Sequence, residues 1–171
     1  MQILKEKSRA KSQITFDEDF NVPDAKPDAG RLIQNKGRII MDDVRLTDGK
    51  GILTGNLQVD ILYVGEERGI VSSLTAKLPF EETLNLKNII NGDKMCLKWE
   101  IEDLTIRLIH SRKLNIKALV TFCATVDETE QIRLPVALDA EEVSVRKKTV
   151  RFLGLTVHKK DTLRIKDEYT I

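Results

Sequence analysis

The sequence predicts an all-β fold: an antiparallel two-sheet β-sandwich with at most one or two short helices. Ile, Val and Thr, which favour strands, supply 17, 12 and 13 of the 171 residues, together about a quarter. Apolar and polar residues alternate over much of the chain, as they do in strands that bury one face. Turn signals containing Gly, Asn and Asp separate these segments, which favours sequential antiparallel strands packed as two sheets.

Three strands are predicted in the first half of the chain. Leu53–Tyr63 carries apolar residues or Gly at its odd positions, which indicates a half-buried strand. Ile39–Leu46 precedes it, and Asp48-Gly49 between them is a hairpin signal because Gly accepts a positive φ. Ile70–Phe80 follows after a turn at Glu66–Gly69. We therefore expect these three strands to pair in sequence order.

A second hairpin is predicted from Met95–Ile109 and Leu114–Val126, joined by a turn at Ser111-Arg112. In the first of these strands the apolar residues occupy odd positions as far as Ile101 and even positions afterwards. A change of parity by one residue is what a β-bulge produces. The sequence therefore predicts a bulge near Glu102-Asp103.

The remaining segments are less regular. One short helix is predicted from Arg31 to Lys36, with Asp28 as its N-cap. In the last third, Leu134-Pro135 indicates an edge or a turn because Pro cannot donate to a ladder. The basic run Arg146–Lys148 is interpreted as a solvated turn.

Two cysteines and three acidic residues on the predicted β-hairpin can each be explained by a structural or by a functional role. Cys96 and Cys123 fall at offset positions of the paired strands, so two free thiols are favoured over a disulfide. Glu100, Glu102 and Asp103 are candidates for an acidic site. A solvated strand face explains these three charges equally well.

Composition and motifs argue against an enzyme, a cofactor, a metal site and nucleic acid. No metalloprotease, nucleophile-elbow or phosphate-loop motif occurs, and neither His110 nor His158 has a Cys within four residues. The formal net charge is only +1, and the basic residues near Arg146 and Lys159 lack an aromatic stacking platform. No apolar run approaches the roughly 18 residues of a membrane span, and the N-terminus lacks a signal-peptide core.

A short internal repeat links the two ends of the chain. Ile14–Val22 superposes on Leu163–Ile171 at a constant offset of 149, with apolar residues matching at four positions. Two interpretations stay open. The second copy is either the start of a further module in a longer polypeptide, or a strand that pairs with the sheet of a neighbouring copy.

Five segments in order resemble the SPOCS domain family, a group of spore-coat-associated domains of endospore-forming bacteria found in SipL-type proteins. Val22-Pro23-Asp24-Ala25-Lys26-Pro27-Asp28 resembles the family's V-P-x-x-K-P-D opening, although Ala29-Gly30 replaces the apolar residue that usually follows. The other resembling segments are Gly37–Ile40, Asp48–Lys50 followed by Gly55–Val64, Leu78-Pro79-Phe80 and Ser111–Ile116. Nothing in the chain resembles the LysM module of SipL proteins, so its docking function is not carried over.

The resemblance implies a non-enzymatic structural or assembly module of the spore envelope that acts through β-strand-mediated protein–protein association. Its implied partners are other spore coat proteins or copies of itself, as a homo-oligomer or filament. Its implied location is the mother-cell cytoplasm at the forespore surface. The alternative is a ligand-binding β-module for cell-wall or spore glycan. Such sites generally need exposed aromatic platforms, and the chain has only one Trp, two Tyr and five Phe.

The predicted domain organisation has three parts: an N-terminal arm at 1–13, a SPOCS-like β-sandwich at 14–158, and a terminal strand at 159–171 that resembles the start of a second repeat. No catalytic, cofactor-binding or metal-binding residue is predicted. The predicted protein-interaction residues are the apolar positions of the two repeat copies: Leu163, Ile165, Tyr169, Ile171, Ile14, Phe16 and Phe20.

Overall fold

The structure is a computed structural model that describes residues 2–47, 49–67, 69–90, 92–133, 146, 148 and 149. Six strands follow one another in this part of the chain: β1 Gln2–Asn21, β2 Ala29–Thr47, β3 Lys50–Gly65, β4 Val71–Asn85, β5 Met95–His110 and β6 Lys113–Gln131. None of the described residues is helical, so no helix among them is long and apolar enough to cross a membrane.

The strands form two antiparallel sheets of three strands each, in the orders β1-β6-β5 and β2-β3-β4. The predicted all-β, two-sheet fold is therefore confirmed. β3 and β6 are the central strands, and β1, β5, β2 and β4 are edges. Both sheets lie mainly within Glu6–Asp127. The described residues outside this range include the start of β1 as far as Lys5 and the end of β6 from Glu128, where Lys5 and Glu130 form an exposed ion pair of 3.2 Å.

The core lies between the inner faces of the two sheets. Alternate residues of β3 from Leu53 to Tyr63, and of β6 from Leu114 to Val126, are buried, as the period of two predicts. Phe80 of β4 brings these two sets together, since its ring centroid lies 5.2 Å from that of Phe122. Aromatic packing of this kind stabilises the contact between the sheets.

The turns between these strands follow the sequence signals. Gly49 has a φ of 76° between β2 and β3, and Gly69 has a φ of 60° between β3 and β4. Both values fall in the left-handed region that Gly accepts without a Cβ penalty. β5 and β6 pair through the predicted turn, with His110 opposite Lys113.

The predicted bulge in β5 is confirmed. Ile101 pairs with Val120 and Asp103 with Leu119, which leaves Glu102 as the extra residue. This insertion restores the inward direction of the apolar residues in the second half of the strand.

The helix predicted from Arg31 to Lys36 is wrong, because this segment belongs to β2. The pairing of β2 with β3 is irregular between Ala29 and Arg31 and again between Leu32 and Gln34. Each irregularity shifts the parity of the side chains, so the period of two that marks a strand is hidden in the sequence. Backbone pairing with β3 then decides the conformation of the segment.

The remaining predictions concern the domain boundaries and the last third of the chain. β1 runs without interruption across the predicted boundary between residues 13 and 14. The domain divisions at 13 and 158 stay predictions. The edge or turn predicted at Leu134-Pro135 and the segment Leu163–Ile171 lie outside the described residues. Arg146 and Lys148, which frame the predicted basic turn, are exposed and lie in neither helix nor strand.

Candidate functional site

The connection between β1 and β2 folds over the turn between β5 and β6. The amide of Val22 donates to the carbonyl of Arg112 at 2.9 Å, and the amide of Ala29 donates to the carbonyl of Ser111 at 2.7 Å. These two bonds fix both ends of the segment from Val22 to Asp28. The two motifs at the ends of the sequence resemblance, far apart in the chain, therefore meet at one end of the sandwich.

Arg112 holds the middle of this connection through its guanidinium group. Its Nη1 donates to Asp28 Oδ1 and to the carbonyl of Lys26, each at 2.9 Å, and its Nη2 donates to Asp24 Oδ1 at 2.8 Å. The hydrogen bond to Asp28, followed by that to Asp24, raises the pKa of Arg112. The planar fork of Arg can satisfy three acceptors at once, which the ammonium group of Lys does less well.

The second sheet contributes to the same clasp. The hydroxyl of Tyr63, a fully buried residue of β3, donates to the carbonyl of Pro27 at 2.8 Å. The amide of Glu66 donates to the carbonyl of Asp28 at 2.8 Å. The connection is therefore bonded to β3 as well as to the β5–β6 turn, and it ties the two sheets together. We call the residues from Val22 to Asp28, with Tyr63 and Arg112, the motif clasp.

The motif clasp has the chemistry of a structural joint. Arg112 already forms ion pairs with two carboxylates, and the hydroxyl of Tyr63 already donates a hydrogen bond to a carbonyl. His110, one of the two histidines of the sequence, accepts a hydrogen bond at Nδ1 from the amide of Arg112 at 3.2 Å. The sequence does not show directly that these motifs converge, although the acidic residues of one motif and the Arg of the other are a usable signal.

The edge strands carry the other feature suited to function. Large apolar side chains are exposed on all four edge strands of the two sheets, whereas the central strands β3 and β6 have none. The exposed ones are Leu4 on β1, Ile33, Ile40 and Val44 on β2, Val71 on β4, and Trp99 and Ile109 on β5. An edge that combines unpaired backbone groups with apolar side chains is a template for pairing with another chain.

The structure places the first repeat copy inside its own domain. Phe16 is buried, and its ring meets that of Phe80 edge to face with centroids 6.2 Å apart. Ile14 and Phe20 are partly buried against the same core. These three predicted interaction residues therefore pack within the sandwich. Their counterparts Leu163, Ile165, Tyr169 and Ile171 lie outside the described residues, and their role stays a prediction.

The candidate acidic site does not form a metal centre in the structure. Glu102 accepts a hydrogen bond from Thr121 at 2.5 Å and others from Gln13, and these bonds contribute to its lowered pKa, with Thr121 the largest cause. Asp103 accepts a bond from Thr105 instead. Among the described residues, no three His, Cys, Asp or Glu side chains converge as metal ligands would.

The two cysteines are free thiols, as the sequence favours. Cys96 pairs with Thr125, and Cys123 pairs with Lys98, so the two thiols occupy offset positions on the hairpin. Cys96 is exposed, and Cys123 is half-buried.

A shallow depression lies on the outer face of the β2-β3-β4 sheet. Asp60 lies in it, bonded to Thr75 at 2.8 Å and to Arg38 at 3.0 Å. The bond from Thr75 is the largest cause of the lowered pKa of Asp60. The lining residues are Gln34, Asn35, Lys36, Asp60, Ile61, Leu62, Ser73, Leu74 and Thr75. None of these is aromatic, so this surface does not favour the glycan-binding alternative.

The comparison with known families supports the resemblance inferred from the motifs. Residues 28–109, just under half of the chain, match the family model described as SipL, SPOCS domain. The predicted resemblance to the SPOCS domain family is thereby confirmed. No curated protein and no solved structure matches the chain.

The family match indicates a sporulation-related protein family. It covers β2, β3, β4 and most of β5. The segment from Val22 to Pro27 and the turn at Ser111-Arg112 lie outside the matched residues, yet the motif clasp bonds both to the matched part.

Proposed function

We propose that this chain is a non-enzymatic structural module of the bacterial spore envelope that acts through β-strand-mediated association with spore coat proteins or copies of itself. The sporulation-related family supports the setting. The observation that carries the mode of action is the distribution of exposed apolar side chains, which on the described strands occur on the edges alone. The proposed location is the forespore surface, facing the mother-cell cytoplasm.

Strand association suits this architecture because both sheets are open. Two three-stranded sheets leave four edges whose outer backbone groups have no strand partner among the described residues. A strand from another molecule would satisfy those groups and cover the apolar side chains beside them. The motif clasp favours such a role, since a joint that fixes the two sheets keeps their edges in constant positions.

The segment Leu163–Ile171 is the proposed adhesive strand. Its apolar positions reproduce those of Ile14–Val22, and all of that segment except Val22 belongs to β1, beside β6. We propose that Leu163, Ile165, Tyr169 and Ile171 form its adhesive face. The segment then associates by backbone pairing, and its apolar side chains contact the partner.

The test is the solution mass of the full chain, measured by light scattering, beside that of a version ending at Lys160. The proposal expects a full chain larger than a monomer and a truncated version that is smaller. Ile165→Asp and Tyr169→Asp, on the proposed adhesive face, should weaken association, whereas Thr170→Asp, on the opposite face of the same segment, should not. If the full chain is a monodisperse monomer, the proposed association is wrong. If Ile165→Asp and Tyr169→Asp leave association unchanged, the adhesive residues are wrong.

A further inference from the structure

Three of the four edge strands carry features that oppose pairing with a further strand. β2 has three irregularities in its register, and bulges bend an edge away from a flat partner. β4 contains Pro79, which has no amide to donate. Ser8 and Ser12 hold β1 through bonds to the amide of Lys87 and to Glu82 of β4, at 2.9 and 2.6 Å. These three edges are poor templates for a second copy.

The first half of β5 is different. From Met95 to Ile101 it pairs with β6 residue by residue, without a bulge and without Pro or Gly. Its other edge has no strand partner among the described residues. This stretch is therefore a regular and unblocked edge.

Trp99 and its two neighbours on this edge are exposed to solvent. Trp99 lies opposite the fully buried Phe122 and faces the inside of the sandwich, yet 45% of it is exposed. Its neighbours Lys98 and Glu100 are also exposed, and neither has an ion pair among the described residues. Trp99 and the two charges lie on opposite faces of the strand, so a further strand paired with this edge would cover the Trp on one face and match the charges on the other.

We propose that two copies of this chain associate by antiparallel pairing of β5 with β5 about a two-fold axis at Trp99, so that the β1-β6-β5 sheets of both copies become one continuous sheet. The inference deepens the proposed function, on which it rests, by naming the partner and the edge. A two-fold axis makes the surface complementary to itself, as in most homodimers.

This register is favoured because it places opposite charges, and also apolar side chains, directly across from one another. With Trp99 opposite its own copy, Lys98 lies opposite Glu100 twice, and Leu97 lies opposite Ile101 twice. Opposite charges directly across from one another stabilise an antiparallel pair, and like charges destabilise it. A register centred on Glu100 instead places that carboxylate opposite itself. The sequence around Trp99 is therefore complementary to its own reverse.

The fold limits how far the pairing edge of β5 extends towards the end of the strand. Glu102 is the bulge residue, and it ends the regular part of the edge. On the inner face, Leu104 beyond the bulge and Ile101 just before it approach Gly37 of β2 so closely that a Cβ there would lie 2.9 and 3.1 Å from their methyl groups. β2 of the other sheet thus packs against the inner face of β5 around the bulge. The paired stretch is short and closed, which gives a dimer from this contact and not a filament.

Charge exchange tests the proposal on the full chain. The dimerisation constant is measured by analytical ultracentrifugation over a dilution series for wild type, Lys98→Glu, Glu100→Lys and the double variant. Each single variant creates two like-charge pairs across the axis and should weaken dimerisation about tenfold or more, whereas the double variant restores opposite charges and dimerisation. Lys77→Glu, an exposed charge reversal on β4, should have no effect.

The double variant and Lys77→Glu together separate pairing from other effects. Restoration supports β5 pairing, because exchanging the two charges does not rescue a misfolded chain. Lys77→Glu changes the net charge as much as Lys98→Glu does, so its lack of effect excludes general repulsion. Single variants that dimerise like wild type, or a double variant that stays weak, would overturn the inference. If wild type associates but only loss of residues 161–171 breaks it, the proposed function stands and the β5 inference fails. A wild-type monomer at all concentrations overturns both.

A cross-linking experiment tests the register. In a Cys96→Ser, Cys123→Ser background, Trp99→Cys should form a disulfide-linked dimer under mild oxidation, because residues opposite one another across antiparallel strands have Cβ atoms roughly 5 Å apart. Lys77→Cys in the same background should remain monomeric on a non-reducing gel. Equal cross-linking of the two variants would contradict the proposed axis.

Discussion

Gly55 lies in the middle of β3, where a side chain would meet its neighbours on two sides. A Cβ there would overlap the carbonyl oxygen of Ile40 and come within 2.9 Å of Phe80 Cζ. The first neighbour is backbone, so β2 itself would have to shift. At Gly51 in the same strand, the nearest atom is the sulfur of the flexible Met95 side chain, 3.1 Å from such a Cβ, and the methyl group of Leu86 follows at 3.4 Å. A side chain can therefore move to make room at Gly51, whereas the backbone of β2 would have to move at Gly55.

Gly55→Ala should be clearly more destabilising than Gly51→Ala. We expect Gly55→Ala to lower the free energy of unfolding by about 2 kcal/mol or more, since overpacking against backbone is relieved only by strain. Gly51→Ala should cost less than about 1 kcal/mol because a Met side chain can change rotamer. Urea unfolding of both variants measures the difference. Equal losses would mean that the β2–β3 spacing is not fixed as the structure has it.

Tyr63 offers a second test at the scale of one atom. Replacing it with Phe removes only the hydroxyl that donates to the carbonyl of Pro27. We expect the free energy of unfolding to fall by about 1 kcal/mol, the usual loss for one such bond. Unfolding in urea measures it. If Tyr63→Phe is neutral, the bond in the motif clasp contributes nothing to stability.

The bulge in β5 makes a prediction at the scale of the strand. Deleting Glu102 leaves Ile101 and Leu104 facing inward with the same partners on β6, because Glu102 is the one residue without a partner there. Deleting Glu100 instead turns Ile101 outward and Glu102 inward. We expect the Glu100 deletion to be more destabilising by about 2 kcal/mol or more, since it exposes an apolar side chain and buries a carboxylate. Thermal unfolding of both deletions checks the order.

The strands differ in how far their sequences predict them. Leu53–Tyr63 and Leu114–Val126 were predicted because central strands show unbroken alternation, and both lie within the observed β3 and β6. β2 was predicted only from Ile39 to Leu46, since its bulges hide the period in the preceding residues. In β1 the inward residues Ser8 and Ser12 are polar and bond to the opposite sheet, so the apolar pattern is lost there.

The candidate sites were predictable only in part, for a related reason. The motifs of the clasp were recognised separately, but their meeting at Arg112 depends on strand order, which alternation does not encode. The odd position of Trp99 among the apolar residues of its strand predicts an inward direction, and its pairing with Phe122 agrees with that. Its exposure arises because β5 is an edge strand, and that again is a property of the sheet order.

On the scale of the whole molecule, carboxylates with lowered pKa values are spread over both sheets. Bonds from Lys117 and Lys113, each followed by Asn115, lower the pKa values of Asp17 and Asp19 on the outer face of the β1-β6-β5 sheet. A group with a depressed pKa in the folded state stabilises that state above its unfolded pKa, and this stability is lost as the pH falls through the folded value. The domain should therefore lose stability in acid.

Asp93 is the best position at which to test this dependence. The bond from Lys7, at 2.8 Å, is the largest cause of its lowered pKa, and the amide of Ile90 adds a second bond. At 14% exposure for both side chains, the Lys7–Asp93 ion pair is more sheltered from solvent than the others described. Shelter from water reduces screening by salt, so this pair should respond to pH more than to ionic strength.

We expect Asp93→Asn to lower the urea midpoint at pH 7 and to flatten its dependence on pH. The wild-type midpoint should fall once the pH drops below about 4, the ordinary range of a carboxyl, and the gap between the two proteins should narrow as the pH falls further and Asp93 takes up its proton in the folded state too. Glu67→Gln, which removes an exposed carboxylate with no ion pair among the described residues, should follow the wild-type curve. A gap between wild type and Asp93→Asn that stays constant as the pH falls would show that the amide fails for steric reasons and that the charge of Asp93 does not stabilise the fold.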